Sequence, residues 1–393
     1  MRLVLLCALL ALCACGPAAP VDVLPFEPAS PTAAPDPTKP GPFPVGVRTV
    51  TYEDTGRRRA DGTPRRLVTE IWYPATQDTR GQPGVSYDIR TVLTEAQVAA
   101  LADVTVPLLE TTAVRDAPLA TTHGPFPLIV FAHGQGAVRW QSTFYTVLLA
   151  SHGYVVISTD HEGGTLYDLV RGELQNVAAG LETRPVDVVY LLNRMERLKP
   201  EDPLYGNLDL ERIGVTGHSF GALTSFRVGA TDKRVKAIVP QAPPDVNLAW
   251  IGLPQPVKLG MPVMVQAAHE DKTLKWDESI VPTWPLLERP RWLVDIVQGG
   301  HFTFSDLCGF DLASIAERVS LDVMGADVRK VLEDGCGPPA PPVTVAQPVI
   351  NHYGVAFFNA VLKGSEGSRA LLTQEKGDQV AGAPGVVVLT ADP

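Results

Sequence analysis

From residue 45 onward the apolar positions of the chain change rhythm twice. Residues 47–52 alternate apolar and polar side chains, Asp61-Gly62 marks a turn, and residues 67–73 return with a second strand pattern. Thr94-Glu95-Ala96-Gln97 has the spacing of a capping box and predicts a short helix to about residue 103. Short and almost wholly apolar runs follow at residues 128–132, 154–158, 213–216, 235–239 and 262–266. Strands buried on both faces of a parallel sheet have this character. Residues 292–297 alternate more, as a strand nearer an edge does. Helical patterns lie between these runs, at about 140–151, 183–198, 220–229 and 347–363. Strands alternating with helices after an antiparallel N-terminal start predict an α/β fold, a mostly parallel central sheet with helices on both faces.

The first 44 residues follow neither rhythm. Arg2 and the ten apolar residues 3–12 read as a secretion signal, too short for a membrane span of ~20 residues. Leu12-Cys13-Ala14-Cys15 resembles a bacterial lipobox, in which Cys15 carries the lipid; Cys13, preceded by Leu12, suits that role less. Residues 16–44 hold ten prolines and no periodic pattern, and proline neither continues a helix nor donates to a sheet. The expected organisation is a signal over 1–14, a lipidated cysteine and Pro-rich tether over 15–44, and one domain over 45–393 with insertions at about 75–127 and 302–346. The expected location is outside the cytoplasm, on a bacterial membrane-anchored lipoprotein facing the periplasm or cell surface. In that oxidising setting the two remaining cysteines, Cys308 and Cys336, are expected to form a disulfide.

Composition narrows the function classes. Charged residues make up 19% and hydrophobic residues 45%, which excludes a charged coiled coil or a solvating acidic tail and allows a large core. The net charge of −10, with no long Lys/Arg run, excludes a basic nucleic-acid face. Arg57-Arg58-Arg59 and Arg65-Arg66 flank a turn and read as solvated hairpin charge. The eight histidines form neither H-x-H nor H-E-x-x-H, and no phosphate-cradling glycine loop is present, so no metal or cofactor is expected.

The chemistry sits in the second half. Gly217-His218-Ser219-Phe220-Gly221 matches G-x-S-x-G between a predicted strand and a predicted helix, the context of a nucleophile elbow. Ser219 needs a base, and two histidines come late enough in the chain. His301 follows a predicted strand on a loop in Gly299-Gly300-His301, whereas His352 falls inside the last predicted helix, so His301 is the expected base. Asp271, Glu270 and Asp245 are the carboxylates available to orient it, and Asp271 is preferred. Two backbone N–H donors are expected for an oxyanion: Phe220, after the nucleophile, and Gln135 in His133-Gly134-Gln135-Gly136. His133 itself reads as a side chain that shapes this loop.

Phe131-Ala132-His133-Gly134-Gln135-Gly136-Ala137, the stretch Leu149 to Val156, the elbow and Gly299-Gly300-His301 together resemble the α/β-hydrolase superfamily over residues 45–364. The branch they resemble is that of the plasma-type platelet-activating factor acetylhydrolases and dienelactone-hydrolase-like bacterial esterases. Bacterial cutinases and polyester hydrolases are similar in outline. The resemblance implies hydrolysis of carboxylic esters through an acyl-enzyme without cofactor. The expected partners are small-molecule or lipid esters, and the expected state is a monomer. Two departures matter. The acetylhydrolases carry their acid where this chain has Pro240-Gln241-Ala242, which favours the cutinase-like position of Asp271. Dienelactone hydrolases use a cysteine nucleophile, where Ser219 stands here. The leading expectation is an esterase for short acyl groups, including platelet-activating-factor-like phospholipids. The second is a polyester or cutin hydrolase, and the third a non-catalytic binding lipoprotein on the same fold.

Overall fold

The computed structural model describes residues 22–393, except residues 60, 249, 251, 254–257, 310–314, 316–317, 320–321, 324–325 and 328–332. The expected signal segment and Cys15 lie outside the described residues.

Alternation at the N-terminal start folds as expected. β1 (Val45–Arg58) pairs antiparallel with β2 (Pro64–Pro74), placing Val47 opposite Trp72. β3 (Ala113–Arg115) adds to the outer side of β1 in parallel. The apolar runs become β4 (Phe126–Ala132), β5 (Val155–Thr159), β6 (Leu208–His218), β7 (Val235–Gln241), β8 (Val263–Ala268) and β9 (Arg291–Ile296). A last strand, β10 (Val387–Asp392), closes the far edge antiparallel to β9. The ten strands lie in the order β10-β9-β8-β7-β6-β4-β5-β2-β1-β3. From β5 through β4 and on to β9 every pairing is parallel.

Two apolar layers sandwich this sheet because side chains alternate across each strand. Leu128 and Val130 of β4 enter one core, and Ile129 and Phe131 enter the other. Among the described residues the α-helices are α1 (Glu95–Ala100), α2 (Thr143–Ser151), α3 (Leu166–Val170), α4 (Val177–Glu196), α5 (Phe220–Thr231), α6 (Trp276–Thr283), α7 (Val343–Leu362), α8 (Glu366–Arg369) and α9 (Gln374–Ala381). Tyr145 of α2 and Val349, Phe357 and Phe358 of α7 fill the face that receives Ile129. Val188 of α4, Leu223 and Phe226 of α5 and Ile280 of α6 fill the opposite face.

The strand expected nearer an edge, β9, lies second from it, and β10 takes the edge. Two details differ from the sequence reading. The capping box of α1 is present at Thr94 and Gln97, but the helix ends at Ala100 rather than near 103. The larger difference concerns the Pro-rich segment, which from Asp22 on is a strap laid on the domain. Ser365 Oγ donates to Ala33 O (2.8 Å), Gly41 N–H to Ser151 Oγ (2.8 Å), and Phe43 N–H to Ser151 O (3.1 Å). Ala29 and Phe43 are buried. Proline prevents this segment from joining the sheet, but its carbonyls remain good acceptors and its rings pack. The folded unit therefore begins well before Val45.

Candidate active site

β6 pairs with β4 as far as Gly217 and with β7 as far as His218, and α5 begins at Phe220, so Ser219 alone makes the turn. Its φ of 57° and ψ of −118° fall where a non-glycine residue is strained. Ser219 N–H is held by Gln241 O at 2.9 Å, and its carbonyl accepts from Ala222 and Leu223 N–H. The end of β4 passes against the turn. A Cβ at Gly217 would lie 2.4 Å from Ala132 O and one at Gly221 only 1.8 Å from it, so both positions require glycine.

The loop after β9 returns His301 to this serine, with His301 Nε2 and Ser219 Oγ 2.9 Å apart. On the far side of the ring, His301 Nδ1 lies 2.7 Å from Asp271 Oδ2, on the loop after β8. The carboxylate takes the Nδ1–H, which leaves Nε2 as the acceptor facing the hydroxyl. Asp271 Oδ1 accepts from Leu274 N–H at 2.6 Å. His301 and Asp271 are buried and Ser219 is half-buried. The structure thus brings Ser219, His301 and Asp271 together. Asp245 instead closes a local turn on Asn247 N–H (3.0 Å), and Glu270 is exposed. His352, inside α7, faces Leu371 O at 3.0 Å.

The loop after β4 lies against the elbow, and a Cβ built on Gly134 would be 3.5 Å from Ser219 Cβ. Gly134 N–H donates to Gln141 Oε1 and Gly136 N–H to Gly164 O. Gln135 N–H has no protein acceptor among the described residues. Phe220 N–H is the first of α5, where helical N–H groups have no partner within the helix. His133 is fully buried and its ring nitrogens meet backbone groups, Nδ1 at Gly134 O (2.7 Å) and Nε2 accepting from His161 N–H (3.1 Å).

Two supporting side chains were not visible in the sequence. Arg184 of α4, 1% exposed, donates to His133 O (2.8 Å), Gln135 Oε1 (2.6 Å) and Gly164 O (2.9 Å). Its guanidinium carbon also lies 4.5 Å from the centre of the Phe220 ring. Burial lowers its pKa to about 9, so it stays cationic at neutral pH. Gln141 Nε2 donates to His218 Nδ1 (2.7 Å), and His218 Nε2–H then reaches His301 O (2.8 Å). Burial, with the neighbouring His301, holds His218 well below its ordinary pKa, so it stays neutral in that tautomer. An arginine in an amphipathic helix and a lone glutamine carry no local signal of such roles.

Cys308 and Cys336 are joined as a disulfide, with their Cα atoms 4.8 Å apart. Among the described residues no cluster of His, Cys, Asp or Glu is arranged to hold a metal ion, and no helix is long and apolar enough to cross a membrane.

A family model described as PET hydrolase-like matches residues 117–316, just over half of the chain, and spans β4, the elbow, Asp271 and His301. The chain belongs to the PET hydrolase-like family. A second model, platelet-activating factor acetylhydrolase isoform II, matches residues 33–165. Among curated proteins, this PET hydrolase-like chain is 24% identical over 197 residues to a platelet-activating factor acetylhydrolase of Cavia porcellus, covering 41% of the chain and 45% of the relative. It is 28% identical over 158 residues to that of Canis lupus familiaris, covering 31% and 35%. The chain thus spans less than half the length of these relatives. A solved ferulic acid esterase from Streptomyces cinnamoneus superposes with a TM-score of 0.62 at 26% identity, over 82% of this chain and 91% of that one. Fold and family are those of α/β-hydrolase esterases.

Proposed function

We propose that this chain is a serine carboxylic ester hydrolase, acting as a monomer without cofactor on short-acyl esters, platelet-activating-factor-like phospholipids among them. The hydrogen-bonded line from Ser219 Oγ through His301 to Asp271 carries this reading. In this mechanism Ser219 Oγ attacks the ester carbonyl carbon as its proton passes to His301 Nε2. The carbonyl oxygen becomes an oxyanion between Gln135 N–H and Phe220 N–H. His301 then protonates the leaving alkoxide, giving an acyl-Ser219 enzyme and an alcohol. Water, deprotonated by His301, attacks the acyl carbon, releases the acid and restores Ser219. Asp271 holds the imidazole in its productive tautomer throughout. The acetylhydrolase relatives support the short-acyl choice. The family description over residues 117–316 supports a second reading, polyester hydrolysis.

The test is turnover of p-nitrophenyl esters of increasing acyl length, a short-acyl phospholipid and a polyester film. Short-acyl esters are expected to be hydrolysed fastest, and preference for the film selects the second reading. Ser219→Ala is expected to lower kcat by about three orders of magnitude or more. Ester turnover that survives this substitution would falsify the serine mechanism, and no turnover of any ester by the unmodified protein would leave a binding role.

A further inference from the structure

The sheet fixes where β8 and β9 end, but Asp271 and His301 lie beyond those ends, on separate loops. Two backbone bonds join the loops, His269 N–H to Ile296 O (3.1 Å) and Glu270 N–H to Gly299 O (3.0 Å). Both precede the residues that matter. What joins the loops at those residues is a third segment, remote in sequence. Asp334 Oδ1 accepts from His301 N–H at 2.9 Å and from Lys272 N–H at 3.0 Å. Asp334 Oδ2 accepts from Thr273 N–H at 2.9 Å and from Thr273 Oγ1 at 2.7 Å. One carboxylate therefore binds the backbone of His301 itself and of the two residues after Asp271. It is only 3% exposed.

Backbone packing reinforces this clamp. Asp334 O accepts from Phe302 N–H at 2.8 Å. A Cβ on Gly300 would lie 2.4 Å from the Asp334 carbonyl carbon, and one on Gly335, whose φ is 115°, would lie 2.8 Å from Thr303 N. Two residues beyond Asp334, Cys336 is bonded to Cys308, which follows His301 by seven residues. The disulfide thus returns the Asp334 segment to the His301 loop.

We infer that Asp334 is a positioning residue: its carboxylate fixes the spacing between Asp271 and His301, and the Cys308–Cys336 disulfide keeps Asp334 in place. The inference rests on the proposed roles of Ser219, His301 and Asp271. Four donors converge on two oxygens, which suits an ionised carboxylate, whose hydrogen bonds are stronger than neutral ones. An asparagine has the same shape but turns an NH2 toward an N–H donor. Loosening the clamp shifts the base relative to its acid, and a displacement near 1 Å at such a site costs on the order of 100-fold in rate.

The experiment compares wild type, Asp334→Asn, a Cys308→Ser/Cys336→Ser double variant and Ser219→Ala on p-nitrophenyl acetate. It also follows the downfield proton resonance of His301 Nδ1–H, which a merely structural role for Asp334 leaves in place. For Asp334→Asn, kcat is expected to fall roughly 10- to 100-fold with KM within about two-fold, and the resonance to shift or vanish. The double variant, and wild type treated with a dithiol reductant, are expected to lose kcat in the same direction, the reduced protein recovering on reoxidation. An Asp334→Asn enzyme with wild-type kcat and an unchanged resonance overturns the inference. Should that variant not fold, unchanged kcat in both the double variant and the reduced wild type overturns it instead. Activity in Ser219→Ala refutes the serine mechanism; an inactive Ser219→Ala beside a fully active Asp334→Asn refutes only the clamp.

Discussion

At Asp271 one oxygen faces the His301 ring and the other accepts Leu274 N–H, so both lone-pair directions that matter are fixed. Replacing it by asparagine offers an NH2 to Nδ1 and favours the tautomer that cannot accept the serine proton. Asp271→Asn is therefore expected to lower kcat/KM by about a thousand- to ten-thousand-fold. Asp245→Asn, which alters only the turn at Asn247, is expected to stay near wild type. A comparison of kcat/KM for the two variants checks this, and the reverse ranking sinks the assignment of the acid. Ser219 and His301 were legible in the sequence because each sits in a local signature, a G-x-S-x-G turn and a glycine-flanked loop. Asp271 was only the preferred member of three carboxylates, since a loop's direction in space leaves no local pattern. Asp334 left no trace at all, because its partners lie 33 and 62 residues away.

The loops after β4 and β9 meet at the elbow, and one polar chain connects them. It runs from Gly134 N–H through the Gln141 amide and the His218 ring to His301 O. Gln141→Leu removes the middle of this chain and leaves Gly134 N–H and His218 Nδ1 without these bonds. Each unsatisfied buried group costs about 1–3 kcal/mol. The variant is expected to melt at lower temperature and to lose kcat roughly 10-fold or more, because the oxyanion loop and the base share the support. Full activity with an unchanged melting point would count against the chain as a support. The elements themselves were readable because buried parallel strands must be apolar on both faces. The strap was not. A Pro-rich segment has the same sequence pattern whether free or docked, and the difference lies in distant acceptors and donors such as Ser151 and Ser365. β10 escaped notice because it is a short, half-exposed edge strand.

The whole molecule carries several buried histidines, and they set its response to acid. Burial lowers both His152 and His161 to about 4, and pushes His133 and His218 in the same direction. An unfolded chain binds these protons near pH ~6.5, whereas the folded one does so only well below that. Their contribution to stability is present above pH ~6.5 and is lost as the pH falls toward 4. Asp306 runs the other way: burial raises it to about 6, so its folded form takes up a proton first and gains stability as the pH falls below that value. With His352 also pushed down, and Asp160 and Asp295 pushed up beside Asp306, five histidines stand against three carboxylates and outweigh them. The melting temperature is expected to fall between pH 7 and pH 4.5, and a flat or rising curve would contradict this balance. Most of this was beyond the sequence, which shows eight histidines but not which of them are sealed from water.

The strap also has a consequence for how the chain is made. Ala33 meets Ser365, 332 residues further on, and Gly41 meets Ser151, 110 residues further on. Because synthesis proceeds from the N-terminus, Asp22 meets Gln77 and His123 early, whereas Ala33 waits for a partner made 332 residues later. The strap is thus seated in stages: both of its flanks find partners by residue 151, and only the part at Ala33 stays without this bond until Ser365 is made.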